Sequence, residues 1–124
     1  VESGYTVAIG GDVSEPGFDP ETQCAIIPTF DIPAQNINDE ARQFRFSNHT
    51  TTDDHGVHLV GYTDYKGSRW YLIKDSGAGS RNNNPNAKEF GYYFFREDYV
   101  KLKMMNFTVH KDAVKDLLSK FKTK

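Results

Sequence analysis

The chain has 124 residues, enough for one modest hydrophobic core and too few for a large two-domain enzyme. Its 15 Lys and Arg residues against 17 Asp and Glu residues give a net charge of −2, and the lack of a basic excess argues against a nucleic-acid-binding surface. Aromatic residues make up 14% of the sequence, which excludes a disordered chain, and no apolar run approaches the length of a membrane-spanning helix.

The first part of the chain is predicted to contain one strand and one short helix, with loops around them. β-Branched residues within residues 5–10 predict a buried strand. Proline and glycine among small and acidic residues predict a loop over residues 12–24. Asn38 is a predicted helix N-cap, because two acidic residues follow it in the first turn, and the helix is expected to end before His49.

The central part is predicted to be β-rich. Residues 57–63 and 69–74 predict two strands joined by a hairpin turn at residues 66–67, which are Lys and Gly. Residues 76–89 predict a long polar loop, since they are rich in Gly, Ser, Asn and Pro. Residues 91–95 predict a third strand, and its consecutive aromatic residues favour burial on both faces.

The C-terminal part is predicted to contain a further strand and a helix. Apolar residues alternate over residues 100–109 with a one-residue slip, which predicts a strand with a bulge or a change of environment. An apolar stripe at helical spacing predicts a helix over residues 111–121. The predicted fold class is therefore α+β: a mostly antiparallel sheet with a short helix before it and a C-terminal helix.

The densest group of titratable side chains lies at a loop-to-strand boundary, where functional residues are often found. It comprises His49, Asp53, Asp54, His55 and His58. One interpretation is structural, with the acids as turn or cap residues and the second histidine as an ordinary strand residue. A metal site is disfavoured, because strand residues three apart point to opposite faces and His55 and His58 then cannot share one ion. We therefore expect no metal and no cofactor.

Acid–base chemistry is the stronger interpretation of this group. If the two central strands form a hairpin, His55 and Asp75 lie at the same open end, and the carboxylate can accept a hydrogen bond from the imidazole. Such a base still needs a nucleophile. Cys24 is the only thiol, and the apolar residues that follow it favour a bystander over a reactive cysteine.

Two segments together resemble papain-like cysteine peptidases. Residues 54–62 read DHGVHLVGY, which is similar to the family's histidine segment, DHAVxxVGY. Residues 70–77 read WYLIKDSG, where the family has Wxx(I/V)KNSWG. The resemblance spans essentially the whole chain and is closest to the bleomycin hydrolase and bacterial aminopeptidase C branch. The further segments that carry it are residues 10–14, 37–42, 91–94, 94–100, 102–103 and 109–113.

The resemblance implies roles for individual residues. His55 matches the family's general base, and Asp75 stands where the family has the asparagine that orients the histidine. Gly77 replaces the tryptophan that shields their hydrogen bond from water. Cys24 does not match the family's nucleophile, which lies far upstream in a Gln…Cys-Trp segment.

The chain as a whole is accordingly expected to be the C-terminal, β-rich half of such an enzyme. The abrupt start, without Met or a signal region, suggests a fragment that lacks the nucleophile-bearing half. The expected partners are a peptide substrate, that upstream half and possibly further copies of the chain, with no nucleic acid and no membrane. The alternative is a non-catalytic β-rich binding or scaffold domain derived from the same fold. The sequence leaves the compartment and the choice between exo- and endopeptidase action open.

Overall fold

The structure is a computed structural model that describes residues 1–77, 89 and 91–121. These residues form an α+β fold around a seven-stranded sheet in which only the pairing of β3 with β6 is parallel. The strand order is β2-β3-β6-β5-β4-β1-β7. The strands are β1 (Val7–Gly11), β2 (Phe18–Asp19), β3 (Cys24–Ala25), β4 (His55–Tyr65), β5 (Ser68–Lys74), β6 (Tyr92–Arg96) and β7 (Met104–Val109).

Helices interrupt and follow the strands of this sheet. They are α1 (Asp39–Ser47), α2 (Glu97–Lys103) and α3 (Lys115–Ser119), with short 3₁₀ turns at Ala34–Asn36 and Lys111–Val114. The mostly antiparallel sheet and the C-terminal helix agree with the predicted α+β class, but the short helix α1 follows β1–β3 and precedes only the later strands of the sheet. The polar loop predicted over residues 76–89 lies mostly outside the described residues. No helix within the described ranges is both long and apolar enough to cross a membrane.

The β4–β5 hairpin forms where the sequence predicts it. Lys66 and Gly67 both have positive φ angles, 48° and 76°, as expected for the tight turn that matches the twist of two antiparallel strands. The strands pair from Tyr65 with Ser68 down to His58 with Lys74. This register brings the start of β4 next to the end of β5.

Helix α1 also begins as predicted. The Asn38 side chain accepts a hydrogen bond from the backbone N–H of Ala41 at 2.9 Å, and two acidic residues occupy the first turn. This cap satisfies an N–H group that would otherwise lack a partner at the start of a helix.

Strand β6 corrects one prediction. Tyr93 and Phe95 are buried, but Phe94 between them is 40% exposed, so the strand is not buried on both faces. Tyr93 and Phe95 both pack against Phe18, with ring centroids 5.1 and 5.9 Å apart. The described sheet covers one face of the strand with the core and leaves the other accessible, which gives the ordinary two-residue alternation.

The strand predicted over residues 100–109 is a second correction, because its first part is helical. Helix α2 runs to Lys103, and β7 begins at Met104. Tyr99 and Leu102 face the core at helical spacing, and Lys101 on the outer side pairs with Glu97 one turn earlier. The one-residue slip lies next to the junction between helix and strand and coincides with the predicted bulge in β7: Gly10 pairs with Asn106 and Gly11 with Met104, so Met105 has no counterpart in β1.

The C-terminal helix is shorter and less buried than its apolar stripe predicts. A 3₁₀ turn takes residues 111–114, and α3 covers only five residues. Leu117, Leu118 and Phe121 are between 49% and 71% exposed, so the stripe does not pack into the core formed by the described residues.

Candidate functional site

His55 and Asp75 lie in contact at the open end of the β4–β5 hairpin. His55 is the first residue of β4, and Asp75 directly follows β5. The imidazole Nε2 is 2.7 Å from the Asp75 Oδ1. The histidine side chain is 20% exposed, whereas that of the aspartate is 1% exposed. The hairpin register thus places together the two residues that the sequence singled out.

Asp75 is fixed from several directions. Its Oδ1 also accepts a hydrogen bond from the Gly77 N–H at 2.8 Å, and its backbone N–H donates to the Gly91 carbonyl at 2.8 Å. Its Oδ2 is buried and has no hydrogen-bond partner in the described part of the chain. A buried carboxylate held in this way fixes the orientation of the ring that it contacts.

This contact sets the chemistry that the histidine can perform. In the neutral ring the nitrogen facing a carboxylate carries the proton, so Nε2–H donates to Asp75 and Nδ1 remains a hydrogen-bond acceptor. Nδ1 is then the nitrogen available to take a proton from another group. A base oriented by a buried carboxylate is the arrangement found in catalytic triads.

Gly77 packs closely against this pair. A Cβ atom at this position would lie 3.2 Å from both the Asp75 Oδ1 and the His55 Cε1, which is tighter than ordinary packing. The absence of a side chain therefore lets the backbone approach the pair and donate its N–H to Asp75.

The turn before His55 is held by two reciprocal carboxylates. Asp54 accepts a hydrogen bond from the Val13 N–H at 3.0 Å, and buried Asp12 accepts one from the Thr52 N–H at 2.8 Å. The Asp54 N–H also donates to the Gly11 carbonyl at 3.0 Å. Asp54 belongs to the group of titratable residues predicted from the sequence, whereas Asp12 does not. Its hydrogen-bond partner Thr52 lies 40 residues away, so no local sequence pattern indicates the contact.

An open groove of about 550 Å³ runs beside the site on the sheet. Ala8, Gly10 and Gly56 lie along it and contribute little or no side chain. Gly56 and Ser76, which also line it, directly follow His55 and Asp75 in the chain. Because successive strand residues point to opposite faces, the groove lies on the face of β4 that carries His58, and the His55 side chain lies on the other face. Its other lining residues are Ile9, Asp53, Val57, His58, Lys74, Asn106 and Thr108.

The other histidines of the predicted group do not join His55. His58 is exposed on the opposite face of β4, and its Nε2 lies 2.8 Å from the Thr6 Oγ1. His49 lies in the turn after α1, with a φ angle of 61°. Across residues 1–77, 89 and 91–121, no three His, Cys, Asp or Glu side chains are grouped as metal ligands would be.

Cys24 lies far from His55. It pairs with Phe94, which pairs with Leu72, which pairs with Gly61 of β4. Gly61 is six positions along β4 from His55, or about 20 Å at the usual rise of a strand. Burial also raises the pKa of the Cys24 thiol. The thiol and the base are not partners in this fold.

Cys24 should therefore react slowly with alkylating agents. Its raised pKa leaves little thiolate at neutral pH, and the rate of modification by iodoacetamide should rise about tenfold per pH unit below that pKa. Intact mass spectrometry of the native chain between pH 7 and 10 measures this. The chain in denaturant is the control and should react faster at each pH. Rapid, complete modification of the native chain at pH 7 would show a reactive cysteine instead.

Comparison of the chain with protein-family models and with curated proteins gave no match. The chemistry assigned to the site consequently depends on its geometry and on the sequence motifs that surround His55 and Asp75.

Proposed function

We propose that this chain is the histidine-bearing half of a papain-like cysteine peptidase, similar to the aminopeptidase C branch. The observation that carries the proposal is the 2.7 Å contact between the His55 Nε2 and the buried Asp75 Oδ1 at the open end of the β4–β5 hairpin. His55 is the proposed general base, and Asp75 is the proposed orienting residue. The thiol nucleophile comes from another segment, because Cys24 is too far away.

The proposed reaction is hydrolysis of a peptide bond through a thioester. The Nδ1 of His55 accepts the proton of the incoming thiol, and the thiolate attacks the peptide carbonyl carbon. The carbon–nitrogen bond breaks as the imidazolium returns its proton to the leaving amine. Water then gives a proton to His55 and attacks the thioester, which releases the acid and restores the thiol.

Asp75 supports both proton transfers. Its Oδ1 accepts from the ring N–H throughout, so the ring neither flips nor changes tautomer between the steps. When the ring is protonated, the buried Asp75 carboxylate faces the positive charge. His55 and Asp75 thus supply the proposed base and its orienting residue, but neither supplies the nucleophile.

The proposed binding place for the peptide is the open end of the β4–β5 hairpin, on the face where the His55 side chain is 20% exposed. This chain would form one wall of the binding cleft, and the upstream half would supply the other wall with the thiol.

The test is peptide hydrolysis by the protein with and without a thiol-bearing upstream segment. We expect the 124-residue chain alone to be inactive, and the complete protein to hydrolyse a fluorogenic peptide in a reaction blocked by thiol reagents. Hydrolysis that persists when every thiol is blocked would contradict a cysteine-type mechanism.

A non-catalytic binding domain is the second candidate, and two observations favour it. Gly77 puts no side chain over the His55–Asp75 contact, and the chain's single cysteine lies more than about 20 Å from His55 across the sheet. Such a domain would bind peptides in the groove without turnover. Peptide binding by a complete protein that carries a reactive thiol yet hydrolyses nothing would support this candidate.

A further inference from the structure

Lys103 is a buried lysine that the proposed chemistry does not use. It is the last residue of α2, and its side chain is 1% exposed. Its Nζ donates hydrogen bonds to the Glu15 Oε1 at 2.8 Å and to the Thr51 Oγ1 at 3.1 Å. A buried ammonium group requires such partners, because removal from water is unfavourable for the charge.

The two partners of Lys103 belong to two segments that contact each other next to His55: the residues after β1 and the turn before β4. Glu15 lies just after β1, and Thr51 opens the turn that leads into β4. The Lys103 carbonyl accepts a hydrogen bond from the Asp12 N–H at 3.1 Å, and the Tyr99 hydroxyl donates to the Asp12 carbonyl at 2.7 Å. The end of α2 therefore joins both segments from one side.

The contacts continue from Thr51 to the histidine without a break. The Thr52 N–H donates to Asp12, and Asp53 accepts from the Asn106 side chain at 2.5 Å. The Asp54 N–H donates to the Gly11 carbonyl, after which His55 pairs with Gly11 in the sheet. Each residue of the turn is thus held, and Lys103 holds the residue at its beginning.

We propose that Lys103 is a positioning residue for His55, acting through Thr51 and the turn of residues 51–54. This inference rests on the proposed function only in taking His55 as the base to be positioned. The ion pair with Glu15 fixes the position of the Lys103 ammonium group. The hydrogen bond from this group to the Thr51 hydroxyl then fixes the start of the turn. Loss of the hydrogen bond between Lys103 and Thr51 makes residues 51–54 more mobile, and this weakens the hydrogen bond between His55 and Asp75.

The test is the exchange of the His55 ring N–H with water, measured by NMR on the 124-residue chain with labelled histidine. For Lys103→Met we expect exchange about tenfold faster than in the wild type, because local opening of the turn exposes the His55–Asp75 hydrogen bond. Lys101→Met is the matched control, since Lys101 lies on the same helix and is 61% exposed. It should leave the exchange rate unchanged.

Thr51→Val separates positioning from stabilisation. This variant removes the hydroxyl but keeps the side-chain shape and the Lys103–Glu15 ion pair. We expect it to accelerate the exchange of the His55 ring N–H as well, with the rest of the spectrum preserved. It also keeps the proposal testable if Lys103→Met does not fold.

Wild-type exchange in Thr51→Val would overturn the proposal and leave Lys103 as a stabilising residue only. The readout needs no turnover, so it is independent of the peptidase assignment. An inactive complete protein would contradict the proposed function but would not affect the exchange result. Conversely, if the complete protein is active but Lys103→Met and Thr51→Val leave the exchange rate unchanged, only the positioning role of Lys103 is contradicted.

Discussion

Replacement of His55 by alanine is expected to lower kcat for peptide hydrolysis by the complete protein by roughly 10³- to 10⁴-fold. The variant lacks the nitrogen that is proposed to take the thiol proton and later return it to the leaving amine. Because His55 is the first residue of β4 and its side chain is partly exposed, its replacement should leave the fold intact. Initial rates with a fluorogenic peptide, and circular dichroism of the same samples, measure both properties.

His58→Ala is the matched control for this prediction. His58 is three residues further along β4, on the opposite face, and its contact is with Thr6 and not with Asp75. Its variant should keep kcat close to that of the wild type, because the His58 side chain lies on the face of β4 away from the His55–Asp75 pair. Turnover that survives His55→Ala at the wild-type rate would remove His55 from the mechanism.

Replacement of Asp75 by alanine is the second large expected effect, about 10²-fold or more in kcat. Without Oδ1 the ring loses the acceptor that fixes its orientation and tautomer, and the imidazolium loses the facing carboxylate. The readout is kcat for the same peptide, because the substitution affects proton transfer and KM should change less than kcat.

Asp75→Asn tests whether orientation or charge matters more. An asparagine oxygen can accept from the Nε2–H as the carboxylate does, so this variant should retain much more activity than Asp75→Ala. Equal loss in both variants, with the fold preserved, would show that the negative charge is essential. Full activity in Asp75→Ala would contradict any role for Asp75 in orienting the base.

Features with local signals could be predicted from the sequence. The helix cap at Asn38 and the turn at Lys66 and Gly67 both follow from residue types at adjacent positions. The contact between His55 and Asp75 follows from the hairpin, since once the turn is known the register brings the strand ends together. The catalytic roles of these two residues remain predictions.

The features that sequence analysis missed depend on distant residues. Residues 100–103 alternate between apolar and lysine positions as a strand would, but Lys103 is buried against Glu15 and Thr51, which are 88 and 52 residues away. The helix is thus favoured by long-range contacts that no local pattern shows. The contact of Asp12 with Thr52 could not be predicted for the same reason. The exposed apolar residues of α3 show that amphipathic spacing does not guarantee burial.

The most direct test of the account is labelling of the complete protein with an epoxide probe for papain-like thiols, followed by intact mass measurement. We expect one probe adduct on the thiol-bearing segment and none on the 124-residue chain, with labelling strongly slowed by His55→Ala. An adduct on Cys24 would contradict it, because the nucleophile would then lie within this chain. Labelling unaffected by His55→Ala would contradict the assignment of His55 as the base.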